Sequence, residues 1–172
     1  AQNCSVVWCE RTGAGAVIDP GGDLPQVLAA VRENGVRLEK ILLTHAHIDH
    51  AGGTAELATS LKLPIVGPHR GDQFWIDGLP EQARMFGFGR CERFTPDQWL
   101  EDGDRVQVGD VEFEVRHCPG HTPGHVVFHS AAAETLIANL TDRSETLLPK
   151  INGRLQAATT TGRQLLGPPA GS

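Results

Sequence analysis

The chain has 172 residues, 40% of them hydrophobic and 21% charged, and carries a formal net charge of −6 at pH 7. That length suits one domain with one core, large enough to fold without disulfide or metal staples. The acidic balance, with no basic stripe, argues against a nucleic-acid or membrane-surface partner, and no apolar run approaches the roughly 18 residues of a membrane span.

Taken in chain order, the sequence opens on "AQNCSVVWCE", which begins almost inside a strand and without Met, so residues are expected to precede Ala1. Nothing there resembles a signal peptide. "CSVVWCE" and "GAVIDPGGD" read as strands, the second ending in a Pro-Gly-Gly turn. Leu24 to Asn34 has apolar residues at helical spacing and is stopped by Gly35. "LEKILLT" is a short apolar strand, "GTAELATSLKL" a second amphipathic helix and "PIVGP" a short buried strand, an order that implies an α/β layered domain.

Gly71 to Leu100 is irregular and holds Phe74, Trp75, Met85, Phe86, Phe88, Phe94 and Trp99. It reads as a cap of loops and short helices on the core, with a wall beside a site as the alternative. "DRVQVGDVEFEVRHCPG" alternates apolar and polar residues around Gly109-Asp110, as a hairpin does, and "HVVFHS" and "ETLIANL" read as two more strands. Residues 139–172 then change character, with four basic and two acidic side chains and neither histidine nor aromatic. A helix around Leu147–Leu155 followed by a frayed tail is the expectation there. Cys4, Cys9, Cys91 and Cys118 match no CxxC pattern and read as reduced, buried cysteines of a cytoplasmic protein.

The chemistry concentrates in "LLTHAHIDHAGG", Leu42 to Gly53. His45 and His47 are two apart, so in an extended segment both face the same way. Asp49 and His50 follow where the next helix begins. Imidazole nitrogen and carboxylate oxygen together suit zinc, iron or manganese, and this density of them after a buried strand reads as a metal site. In "HCPGHTPGHVVF" the prolines and glycines forbid a helix, so His121 sits in a rigid loop between strands and reads as a further ligand. His117 and His125, on or beside strands, read as supports that orient a ligand. His69 and His129 read as exposed or hydrogen-bonded.

"THAHIDHAGG" followed by "CPGHTPGH" resembles the metallo-β-lactamase superfamily, and the short glyoxalase II-like hydrolases within it most closely. "AQNCSVVWCE", "VIDPGGD" and "GDQFWIDGLPEQARMFGF" resemble that branch too, and the likeness covers residues 1 to about 138. It implies an αββα sandwich, incomplete here at both ends, with residues 1–138 as the domain and 139–172 as a divergent segment of it or a tail. It implies two metals, most simply zinc, one held by His45, His47 and His121 and the other by Asp49 and His50. Asp49 would also accept the proton as metal-bound hydroxide attacks a thioester such as a hydroxyacyl-glutathione.

The family pattern asks for two more ligands. Asn139-Leu140 stand where a Gly-Asp pair is expected, Asp142 comes two residues late, and no histidine follows His129. A shortened chain, or a reading frame altered near residue 139, would account for this, and would leave a sheet edge bare. The alternatives are a weak or inactive metal-binding member and a mononuclear iron dioxygenase acting on a persulfide. Oligomeric state leaves no mark on the sequence.

Overall fold

The computed structural model describes residues 4–133, 135–137 and 155–160. Strands β1 (Cys4–Cys9) and β2 (Ala14–Ile18) form an antiparallel hairpin in which Val6 faces Val17. Helix α1 (Leu24–Glu33) carries Pro25 in its first turn, where a missing N–H costs nothing, and buries Leu24, Val27, Ala30 and Val31. Gly35, at φ 62, takes the left-handed conformation that ends it. The helix is the crossover that lets β3 (Arg37–Leu42) run parallel to β2. Short α2 (Ile48–Ala51) and α3 (Thr54–Leu61) lead to β4 (Ile65–Val66), parallel to β3.

The irregular middle holds a 3-10 turn (Arg70–Asp72), α4 (Gln73–Asp77) and α5 (Leu79–Phe86). Trp75, Phe88, Phe94 and Trp99 pack half-buried on the core, whereas Phe74, Met85 and Phe86 are exposed. The antiparallel strands β5 (Arg105–Val108), β6 (Val111–His117), β7 (Val126–Ser130) and β8 (Thr135–Ile137) make a second sheet in that order. Strand β9 (Leu155–Thr160) completes the first sheet, whose order is β4-β3-β2-β1-β9.

Alternation along the strands builds two cores. Val7, Ala16, Ile18 and Leu42 of the first sheet meet Val106, Phe113, Val115 and Phe128 of the second. The opposite faces, with Val6, Trp8, Val17 and Ile41, pack under Val27, Val31, Leu57, Ile76 and Leu79 of the helices. The described layers are therefore helices, sheet and sheet, and the outer face of the second sheet alternates to exposed residues such as Gln107, Glu112 and His129.

Three expectations change. Cys118 is exposed, because the chain leaves the sheet there, whereas Cys4, Cys9 and Cys91 are buried. The edge of β1 is not bare, since β9 pairs with it antiparallel, Cys4 opposite Thr160. Leu155 opens that strand rather than closing a helix; residues 147–154 lie outside the described residues, as do Asn139, Leu140 and Asp142.

Candidate metal centre

Parallel pairing brings the ends of β2 and β3 together, Ile18 beside Leu42. The next residues are Asp19 and Leu43-Thr44. Asp19, at φ 52, adopts the left-handed conformation that aspartate tolerates better than most residues. Its buried carboxylate accepts from Thr44 N at 2.7 Å and from Thr44 Oγ1 at 2.6 Å. The one hydroxyl proton of Thr44 is thereby used, so at 3.0 Å Oγ1 accepts from His45 Nδ1. That tautomer puts the lone pair of His45 on Nε2. Asp19 Oδ2 also accepts from His50 Nδ1 at 3.1 Å. One carboxylate thus orients two of the predicted ligands, although sequence reading had not singled it out.

His47, still extended, is the last residue before α2, and Asp49 lies in the favourable first turn of that helix. His121 comes from the loop between β6 and β7, so the second sheet supplies it. Val126 N donates to Thr44 O at 2.8 Å and ties the two sheets at this point. His47 Nδ1 and His121 Nε2 stand 3.0 Å apart. One nitrogen each from His45, His47 and His121 lies within 4.8 Å of the others, and Asp19, His45 and His50 form a second such group, wholly buried. Asp49 joins neither group; its Oδ2 lies 3.6 Å from His50 Nε2 and its side chain is 46% exposed.

Burial pushes the His45 imidazole far below its ordinary range, and the neighbouring rings of His50, His47 and His121 add to this. Burial lowers His47 as well, assisted by His121. His50 goes the other way: burial opposes its charge, but the hydrogen bond and charge of Asp19, followed by the charge of Asp49, raise it. His45 and His47 are therefore neutral donors at pH 7. Among the described residues no Lys or Arg pairs with buried Asp19 or Asp72. Converging neutral imidazoles, with the buried Asp72 carboxylate beside them accepting only from neutral donors, fit a divalent cation.

The remaining histidines support this centre or stand apart from it. His125 is buried and its Nδ1 donates to Cys118 O at 3.2 Å, while His117 Nε2 donates to Pro123 O at 2.8 Å. His69 stacks on His117 with ring centroids 3.9 Å apart and bonds Glu101 at 3.1 Å. His129 is exposed on β7. Asp72 and Trp75 were not foreseen in detail. The Trp75 ring stands edge-on to His47 at 4.6 Å. The donors to the Asp72 carboxylate lie 26 to 52 positions away along the chain, which leaves no local pattern.

Residues 1–139 match the family described as Metallo-beta-lactamase superfamily. The chain belongs to that superfamily. Over 128 residues it is 39% identical to hydroxyacylglutathione hydrolase GloC of Haemophilus influenzae, spanning 74% of this chain and 60% of that one. Over 131 residues it is 36% identical to the hydroxyacylglutathione hydrolase of Rhodospirillum rubrum, 76% of this chain and 44% of that one. Among solved structures, TTHA1623 in a di-iron-bound form superposes with a TM-score of 0.68 at 34% identity, covering 85% of this chain and 74% of that one. The B3 metallo-beta-lactamase BLEG-1 superposes with a TM-score of 0.63 at 26% identity, over 73% and 61%. The metallo-beta-lactamase fold and membership of that superfamily are therefore shown for this chain. It spans less than two thirds of the length of both hydroxyacylglutathione hydrolases.

Proposed function

We propose that this chain is a metal-dependent hydrolase of the glyoxalase II-like type, acting on a thioester such as a hydroxyacyl-glutathione. The observation that carries the reading is the convergence of His45, His47 and His121 to within 4.8 Å in a chain whose relatives include hydroxyacylglutathione hydrolases. In this reading those three hold one metal, and Asp49 and His50 face a second. Zinc suits the nitrogen-rich donors, with iron or manganese as the other candidates; the similar TTHA1623 structure is di-iron-bound.

The bound metal supplies a water of lowered pKa and a positive charge for the developing oxyanion. The chain's own residues do the rest. Thr44, itself held by Asp19, fixes the His45 tautomer. Asp49 keeps a half-exposed carboxylate beside His50 and would accept the proton of the attacking water. The thiolate then leaves and the acid is released. A small-molecule substrate and a cytoplasmic setting complete this reading. Among the described residues no helix is long and apolar enough to cross a membrane.

The test is elemental analysis of the purified chain together with thioester hydrolysis before and after chelation. Bound metal with turnover that chelator abolishes and metal restores is the expected result. A folded, metal-loaded sample with no chelator-sensitive turnover overturns the reading.

A further inference from the structure

Asp72 belongs to neither ligand motif, yet it is wholly buried, with no exposed surface. It sits in the 3-10 turn that follows β4, between the two segments that carry the histidines. Its Oδ2 accepts from Ala46 N at 2.9 Å and from Thr122 Oγ1 at 2.8 Å, and its Oδ1 accepts from Gly124 N at 2.6 Å. Ala46 is the residue between His45 and His47; Thr122 follows His121. One carboxylate therefore grips the chain beside all three nitrogen donors, bridging first sheet and second. The seating is tight: a Cβ on Gly124 would lie 2.5 Å from Asp72 N. His69 closes the arrangement, accepting from Asp72 N at 3.1 Å through its carbonyl and donating to Gly124 O at 3.1 Å. All three bonds to the carboxylate come from neutral donors, so its charge is balanced by no Lys or Arg among the described residues.

We propose that Asp72 is a positioning residue for the metal centre, setting the spacing of the His45–His47 segment from the His121 loop and supplying the buried negative charge that a cation there compensates. The proposal rests on the hydrolase reading above. Replacing one carboxylate oxygen by an amide NH₂ sets donor against donor, so Asp72→Asn loses at least one of the three bonds without changing size. Thr122→Val removes only the hydroxyl contact, and Thr122→Ser keeps it.

The experiment measures zinc affinity of the full chain by competition with a chromophoric chelator, and the Co(II) absorption spectrum, alongside far-UV circular dichroism of the metal-free proteins. Asp72→Asn is expected to fold and to bind zinc about 10- to 100-fold more weakly, as loss of a support behind metal ligands does elsewhere. Thr122→Val weakens binding and alters the Co(II) spectrum; Thr122→Ser restores both. Wild-type zinc affinity in folded Asp72→Asn, or in Thr122→Val, overturns the proposal. Should Asp72→Asn not fold, the Thr122→Val and Thr122→Ser pair decides. A wild-type chain that binds neither zinc nor cobalt overturns this proposal and the hydrolase reading together. A wild-type chain that binds and hydrolyses, with variants that bind as well as it does, overturns this proposal alone.

Discussion

His47 Nδ1 stands 3.0 Å from His121 Nε2, although 74 positions separate them in the chain. Two imidazole nitrogens at that distance share one proton or one cation, since two N–H groups cannot point at each other. A tetrahedral zinc with bonds of about 2.0–2.1 Å would hold two nitrogens little more than 3 Å apart. The pair is thus close to a metal-binding separation.

Removing either partner abolishes that arrangement. His47→Ala and His121→Ala are each expected to weaken zinc binding at least about 100-fold, beyond the effect of losing a mere support. His129→Ala, on the exposed face of β7, leaves binding unchanged. Equilibrium dialysis with elemental analysis measures all three.

Metal that binds only the folded chain stabilises it. Free zinc at about 100 times its dissociation constant is expected to raise the unfolding free energy by about 2.7 kcal/mol, and chelation to reverse the gain. Urea unfolding monitored by circular dichroism checks this. A zinc-independent midpoint would show that the histidines do not form a binding site.

Asp19→Asn breaks the bonds that orient His45, through Thr44, and His50. Leaving buried donors unsatisfied costs about 1–3 kcal/mol. Lower stability of the metal-free chain and weaker zinc binding are both expected. Unfolding curves with and without zinc separate the two effects.

Acid should destabilise the metal-free chain. His45, His47 and His125 have folded pKa values below their unfolded value of about 6.5. Below that pH the unfolded chain takes up protons that the folded chain refuses, so stability present above pH 6.5 is lost as pH falls. His50, raised above its unfolded value, works oppositely: its stabilisation is full below about 6.5 and fades as pH rises through the folded pKa. Three groups against one give a net loss on acidification, read as a falling urea midpoint between about pH 8 and about pH 5.5. A midpoint that rises over this interval contradicts the assignment.

Gly21 marks where the turn after β2 meets α2. A Cβ there would lie 1.7 Å from Asp49 O, so Gly21→Ala must push aside the helix that bears Asp49 and His50. Overpacking of this kind costs about 1–3 kcal/mol. Thermal unfolding of the metal-free variant measures it.

Much of this candidate centre is legible in the sequence. The strand-turn-helix context of His45, His47, Asp49 and His50, and the Pro-Gly framing of His121, are local features, and local features leave local patterns. The alternation in β5 to β7 was legible for the same reason. Asp19 and Asp72 were not, because their roles depend on partners 25 to 52 positions away. An acid after "VI" or before "QFW" looks like any turn residue until the parallel pairing of β2 with β3, and the packing of the middle segment under the His121 loop, bring its donors to it. The sequence also left β9 unmarked, since "LQAATT" has weak alternation and becomes a strand only beside β1.

The donor set straddles the sandwich. His45 and His47 ride at the end of β3 in one sheet, whereas His121 rides on the β6–β7 loop of the other. The gap between their nitrogens therefore gauges how the sheets are seated on one another. Constellations of this kind tolerate only about 0.5 Å of error. A substitution deep in the interface, at Phe113 or Phe128, would detune the centre by letting one sheet slide, with every ligand still in place. The apolar filling between the sheets is thereby a calibration of the proposed metal centre as much as a source of stability.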